Sequence, residues 1–144
     1  MDADIDEQTG KITLDNSILF DYDSYRLSED GKKYIDSFLR AYAGALLDGE
    51  HAEDIKGVQF DGHTDTDGGH EYNQKLSEKR AGAVLEYCTG NNNAGLDSGQ
   101  TEAFRQISSA VGHSFDEPVY DSDGKIDMAA SRRVEIRFFL NLGE

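Results

Sequence analysis

Residues 60–88, FDGHTDTDGGHEYNQKLSEKRAGAVLEYC, constrain the fold most, because within them a strand-like apolar period gives way to a helical one across a short polar loop. Val58 and Phe60 share a face in period-two spacing, and the run from Asp61 to Gly69 then ends the strand in turn formers. After Asn73, the residues Leu76, Ala83, Val84 and Tyr87 recur at steps of three and four, as on one face of a helix. Polar side chains therefore gather at the strand's carboxyl end. Arg80 is four residues from both Leu76 and Val84, which puts its guanidinium on or beside the apolar stripe. A desolvated guanidinium is costly unless it is paired, and Asp61, Asp65 and Asp67 are its candidate partners. Two readings fit: a structural loop-to-helix ion pair, or a small site for a zwitterion.

The rest of the chain surrounds this unit with strands and helices in alternation. Met1 to Gln8 is acidic and reads as a solvated tail, so 1–11 is taken as a tail or tether end and 12–144 as one domain. Thr9-Gly10 make a turn, and Ile12, Leu14 and Ile18-Leu19-Phe20 are short strand-like runs broken at Asp15-Asn16. Ser28 suits the N-cap of a first helix carrying Tyr34, Ile35, Phe38, Leu39, Tyr42 and Leu46. Ala103, Phe104, Ile107 and Val111 predict a third helix, with Gly112 just past its end, and Asp121-Ser122-Asp123-Gly124 a turn. Val134, Ile136, Phe138 and Leu140 alternate along a last strand with one apolar face. The fold class is α+β, a two-layer α/β sandwich.

Composition excludes several functions. With 14 basic and 29 acidic residues the formal charge is −15, which repels nucleic acid and anionic membrane surfaces. No apolar tract approaches the roughly 18 residues of a membrane span, so this piece is expected to be soluble, with any leader or anchor lying outside it. Cys88, the single cysteine, excludes an intrachain disulfide and reads as a small buried residue. No G-x-S-x-G, H-E-x-x-H or Cys–His signature supplies a hydrolytic centre, and Ser77 fits capping or packing better than catalysis. His63 to Gly68 imitates a calcium loop but fails at its first and last ligand positions. His63, Asp65 and His70 would suit zinc, yet their spacing matches no recurrent zinc pattern. No metal, cofactor or enzymatic activity is expected.

Gly62-His63-Thr64-Asp65, Gly68, Tyr72-Asn73, Leu76-Ser77, Arg80-Ala81 and Val84 resemble, in order and spacing, the signature of the OmpA-like (OmpA/MotB) peptidoglycan-binding domain. Leu19 to Ser24 is similar to that family's opening block, and Ser131 to Ile136 to its closing block, with Ser131 where the family usually has Asn. The resemblance implies a βαβαβ core, a mixed sheet with helices on one face, and a non-catalytic module that grips the diaminopimelate of the peptidoglycan stem peptide. Matched residue by residue, Asp65 would take the ligand's ammonium and Arg80 its carboxylate. Thr64 and Asn73 would line the pocket, and Asp23 would add a contact. One of Arg132 and Arg133 would face the same site, since strand alternation lets only one point there. The resemblance further implies a place in the cell envelope outside the cytoplasmic membrane, a membrane tether outside this piece, and scope for a homodimer. The alternative reading is the wall-anchoring part of a MotB-like ion-driven stator.

Overall fold

The computed structural model describes residues 4–6, 11–21, 24–43, 55–90, 93 and 95–140. Among them the elements run β1 (Asp4–Asp6), β2 (Lys11–Asp15), α1 (Asn16–Leu19), α2 (Glu29–Ala43), β3 (Ile55–His63), α3 (His70–Thr89), α4 (Ser98–Ile107), β4 (Ser108–Gly112), α5 (Met128–Ser131) and β5 (Arg133–Leu140). The strands form one mixed sheet in the order β1-β2-β5-β3-β4, in which β3 and β4 are parallel and the other neighbours antiparallel. The α+β sandwich with a mixed sheet is thus the observed architecture.

Register decides which side chains meet the helices. Phe60 of β3 lies opposite Ile136 of β5, and Ile136 opposite Ile12 of β2, so these residues form one apolar face with Val58, Leu14 and Val134. That face packs on Ile35, Phe38 and Leu39 of α2, on Ala81, Val84 and Cys88 of α3 and on Phe104 of α4. The Phe60 and Phe104 rings meet 6.1 Å apart in a tilted pair. Each fully buried side chain of this kind contributes about 1.5–3 kcal/mol. Ser28 caps α2 as expected, its Oγ accepting from the Gly31 amide at 2.8 Å. Cys88 is fully buried, and burial pushes its thiol pKa far up, so it is inert packing.

Four local expectations are corrected. Asp4–Asp6, assigned to the solvated tail, is an edge strand paired with β2. Ile18 and Leu19 are not strand but the short helix α1, which starts at Asn16 because Asp15 Oδ1 accepts from the Ser17 amide at 2.8 Å. The third helix ends at Ile107, and Ser108 to Gly112 leaves it as β4, since pairing beside β3 satisfies the backbone that a longer helix would satisfy internally. Finally α3 begins at His70 rather than after Asn73, and its buried residues are Asn73, Ser77, Arg80, Ala81, Val84 and Cys88. Thr9-Gly10 and Leu46 lie outside the described residues.

The close seat of α3 on the sheet depends on two glycines opposite one another in the β3–β4 register. A Cβ on Gly62 would lie 2.1 Å from the Ser77 carbonyl oxygen, and one on Gly112 2.6 Å from Ser77 Oγ. Gly62→Ala should therefore force α3 off the sheet and cost about 3 kcal/mol, the upper end of overpacking. In a domain of this size that lowers Tm by roughly 10 °C. A melting temperature within two or three degrees of the wild type, as an order of magnitude, would show that the helix has room to shift.

Candidate functional site

The loop from Thr64 to Gly69 is fixed at both ends. The Thr64 amide donates to the Ser114 carbonyl at 2.9 Å, and Asn73 Nδ2 donates to the carbonyls of Asp67 at 2.8 Å and Gly69 at 3.1 Å. Between these anchors the Asp67 amide donates to Asp65 Oδ1 at 2.9 Å, and Gly68 turns the chain at φ 88°, a conformation few other residues hold. Asn73, in the first turn of α3, therefore holds the loop in shape. Thr64 is buried and donates through Oγ1 to the Asp65 carbonyl at 2.9 Å.

Around this loop the fold gathers charge. Arg132, between α5 and β5, donates from Nη1 to Asp65 Oδ2 at 2.6 Å. Arg80 is buried to 6% exposure on α3; its Nε donates to the Ser24 carbonyl at 3.0 Å, and its guanidinium carbon lies 5.5 Å from the centre of the Phe20 ring. Two adjoining clefts open here. One of about 500 Å³ is lined by Asn16, Phe20, Asp21, Asp65, Asp67, Arg80 and Arg132. The other, of about 320 Å³, shares Asp65, Asp67, Arg80 and Arg132 and adds Thr64, Tyr72 and Asn73.

Thr64, Asp65, Asn73, Arg80 and Arg132 thus stand together, whereas Asp23 lies outside the described residues. Arg133 points to the other side of the sheet, where Nε donates to Glu135 Oε2 at 2.9 Å and Nη2 to the Glu117 carbonyl at 3.1 Å. Arg132 is the member of the pair that faces the clefts. Of the loop acids proposed as partners of Arg80, Asp65 pairs with Arg132 and Asp67 shares the cleft walls with Arg80, whereas Asp61 belongs to the opposite sheet face and pairs with Arg137 and His113. Ser77 packs as expected, donating to the Gln74 carbonyl at 2.9 Å and accepting from the Ser114 amide at 3.0 Å.

The sheet face away from α2 and α3 holds a polar cluster that apolar periodicity did not reveal. Asp61, His63, Arg133 and Glu135 are all buried there, brought into line by the pairs His63↔Arg133 and Asp61↔Glu135. Burial alone would raise the Asp61 and Glu135 carboxyls. For Asp61, hydrogen bonds from Arg137, His113 and Gln59 outweigh it and hold the pKa below the usual range. For Glu135, His63 and Arg133 lower the pKa from 4.5 to about 2. The imagined zinc set of His63, Asp65 and His70 is not assembled: Asp65 is on Arg132, and His70 Nε2 lies 2.8 Å from Asp116 Oδ1. The metal-competent group among the described residues is instead His63, His113 and Glu117. The only sequence signal for this cluster was the charged alternation of Arg133, Glu135 and Arg137 against Asp61 and His63, which acquires meaning once the β3–β5 register is known.

A mixed sheet with helices on one face, and a cleft bearing opposite charges at the end of β3, define a small α/β domain. The chain belongs to the OmpA family, whose family model matches residues 19–132. It is 31% identical over 149 aligned residues to the Zorya protein ZorB of Escherichia coli, covering 97% of this chain and 61% of that protein. It is 31% identical over 122 residues to the peptidoglycan-associated lipoprotein of Pseudomonas aeruginosa, covering 82% and 59%. The chain thus spans about 60% of the length of each of these two relatives. Among solved structures, the cell wall anchor of the T6SS from Pseudomonas aeruginosa superposes with a TM-score of 0.57 at 26% identity, over 90% of this chain and 80% of that one. Membership places the chain among non-enzymatic domains.

Proposed function

We propose that this domain binds peptidoglycan non-covalently and so anchors the protein that carries it to the cell wall, recognising the diaminopimelate of the stem peptide. The observation that carries the reading is the cleft in which Asp65, Arg80 and Arg132 stand on common walls around open space. The free end of diaminopimelate bears an ammonium and a carboxylate. Arg132 pairs with Asp65 across the cleft wall. A zwitterion entering between them exchanges that internal pair for two external ones, its ammonium on Asp65 and its carboxylate on the guanidiniums of Arg80 and Arg132, so no charge is stranded in either state. Asp65 retains acceptor capacity for this, because a carboxylate has about four lone-pair sites. The relatives named for association with peptidoglycan and for anchoring to the cell wall support the same reading. It places the domain in the envelope, outside the cytoplasmic membrane.

The test uses ligand charge. A lysine side chain shares the ammonium with diaminopimelate but lacks the carboxylate. A hydrogen bond to a charged group contributes about 1.5–3 kcal/mol, so calorimetry at low salt should show a preference of roughly ten- to a hundred-fold for the diaminopimelate peptide. Arg80→Ala should lower that preference, with Arg132 alone left to hold the carboxylate, and leave weak lysine-peptide binding little changed. Equal wild-type affinities would mean that recognition does not run through this carboxylate.

A further inference from the structure

We infer that His63, His113 and Glu117, on the sheet face away from the proposed peptidoglycan cleft, form a binding site for a divalent metal ion of the zinc class. Their ligand atoms all lie within 4.8 Å of one another. The orientation of the two imidazoles argues for more than proximity. His63 Nε2 lies 3.2 Å from Glu135 Oε1, and His113 Nε2 lies 2.6 Å from Asp61 Oδ1. His113 is thus hydrogen-bonded to a carboxylate through Nε2, which is how metal-binding histidines are held and how Nδ1 is left as a lone-pair donor, while for His63 the Glu135 carboxylate lies near Nε2 without a formed hydrogen bond. The carboxylates are themselves fixed, Glu135 by Arg133 Nε at 2.9 Å and Asp61 by Arg137 Nε at 2.5 Å.

A second, independent observation is the state of His63. Its side chain is 1% exposed, yet neither Nδ1 nor Nε2 has a hydrogen-bond partner among the described residues. A buried polar atom without a partner is costly, and a ligand that accepts its lone pair removes the cost. The third group is suitably placed: His113 Nδ1 is 3.4 Å from Glu117 Oε2. Two ligands on a tetrahedral zinc with bonds of about 2.1 Å stand about 3.4 Å apart. The His63 and His113 rings are stacked at 4.8 Å with only 10° between their planes, so their in-plane lone pairs run side by side, and the His113 ring has to turn for both to meet one ion. His113 is the ring able to do so, being 23% exposed on the loop after β4, and the Glu117 side chain is 60% exposed and can swing.

Charge favours a dication. The three carboxylates Asp61, Glu117 and Glu135 face the two guanidiniums Arg133 and Arg137, which leaves one net negative charge with both imidazoles neutral. Imidazole and carboxylate suit zinc and its neighbours in the first transition row, with water completing the coordination. An ion here ties the loop from His113 to Glu117 onto the end of β3, one residue before Thr64. The inference does not depend on what the cleft binds.

The experiment is a calorimetric titration of the chain with zinc chloride alone in a non-coordinating buffer near neutral pH. One ion per chain is expected, bound more weakly as pH falls because the imidazoles must be neutral. His113→Ala and Glu117→Gln, both at partly exposed positions, should each lower the affinity at least tenfold, while His70→Ala should leave it unchanged. Cobalt(II) in place of zinc should give the visible absorption of a tetrahedral ion, absent in His113→Ala. No saturable binding, an affinity unmoved by His113→Ala, or an equal loss in His70→Ala would each overturn the assignment.

Discussion

Replacing Asp65 and Arg80 together with Ala should abolish measurable retention of the domain on insoluble peptidoglycan. Each residue is proposed to make one charge-assisted contact worth about 1.5–3 kcal/mol. Losing both amounts to about 3–6 kcal/mol, or roughly a hundred- to ten-thousand-fold in affinity. The single variants should divide by ligand: Asp65→Ala weakens diaminopimelate and lysine peptides alike, because both present the ammonium, and Arg80→Ala weakens only the former. Loss of Asp65 also strands Arg132, but that side chain is 44% exposed and the pair is solvent-screened, so the fold should tolerate it. Retention of the wild type should fall as salt rises, since the clefts are open and their charges are screened. A double variant that remains folded by circular dichroism and is retained like the wild type would remove this cleft from consideration.

The same residues show where sequence reasoning succeeds. Arg80 stood out because a guanidinium at an apolar-stripe position needs a reason, and it is indeed buried at the wall shared by both clefts. Val134 and Ile136 were legible because strict alternation has one physical solution, a face against helices. The buried face of α3 was legible only in part: it carries Asn73 and Ser77 because the helix sits against the polar loop and against Gly62 and Gly112, so apolar periodicity alone selected Leu76 and Tyr87. Ser108 to Val111 continued the apolar spacing of the helix before it, and nothing local distinguishes such a run from a strand until the open edge of β3 is known. Asp61 was assigned to the wrong side for a related reason. Adjacent strand residues point to opposite faces, and the strand continues through His63 rather than ending at Phe60.

That extension of β3 sets up the cluster on the second face and, with it, the acid response of the fold. Glu135 is 8% exposed; Arg133 on its own strand and His63 on β3 hold its pKa at about 2 against an ordinary 4.5. A carboxyl whose folded pKa is depressed binds its proton more readily in the unfolded chain, so the stability it contributes is present above the unfolded pKa and lost as pH falls through the folded one. A difference of roughly 2.5 units at 1.36 kcal/mol each is about 3 kcal/mol, present above about pH 5 and gone near pH 2. Asp61, also depressed, adds to the loss with the same sign. Glu135→Gln should act at the other end of the range. At pH 7 it leaves the Arg133 guanidinium, 6% exposed, without its anionic partner, and breaking a buried pair in this way costs about 3–5 kcal/mol. As pH falls the wild type loses the same charge by protonation, so the two stabilities should converge towards pH 2, with the residual slope of the variant coming from Asp61 and the surface acids. Urea unfolding of both proteins at several values between pH 7 and pH 2 measures that convergence. Curves that run parallel over the whole range would show that Glu135 carries no special charge energy in the folded state.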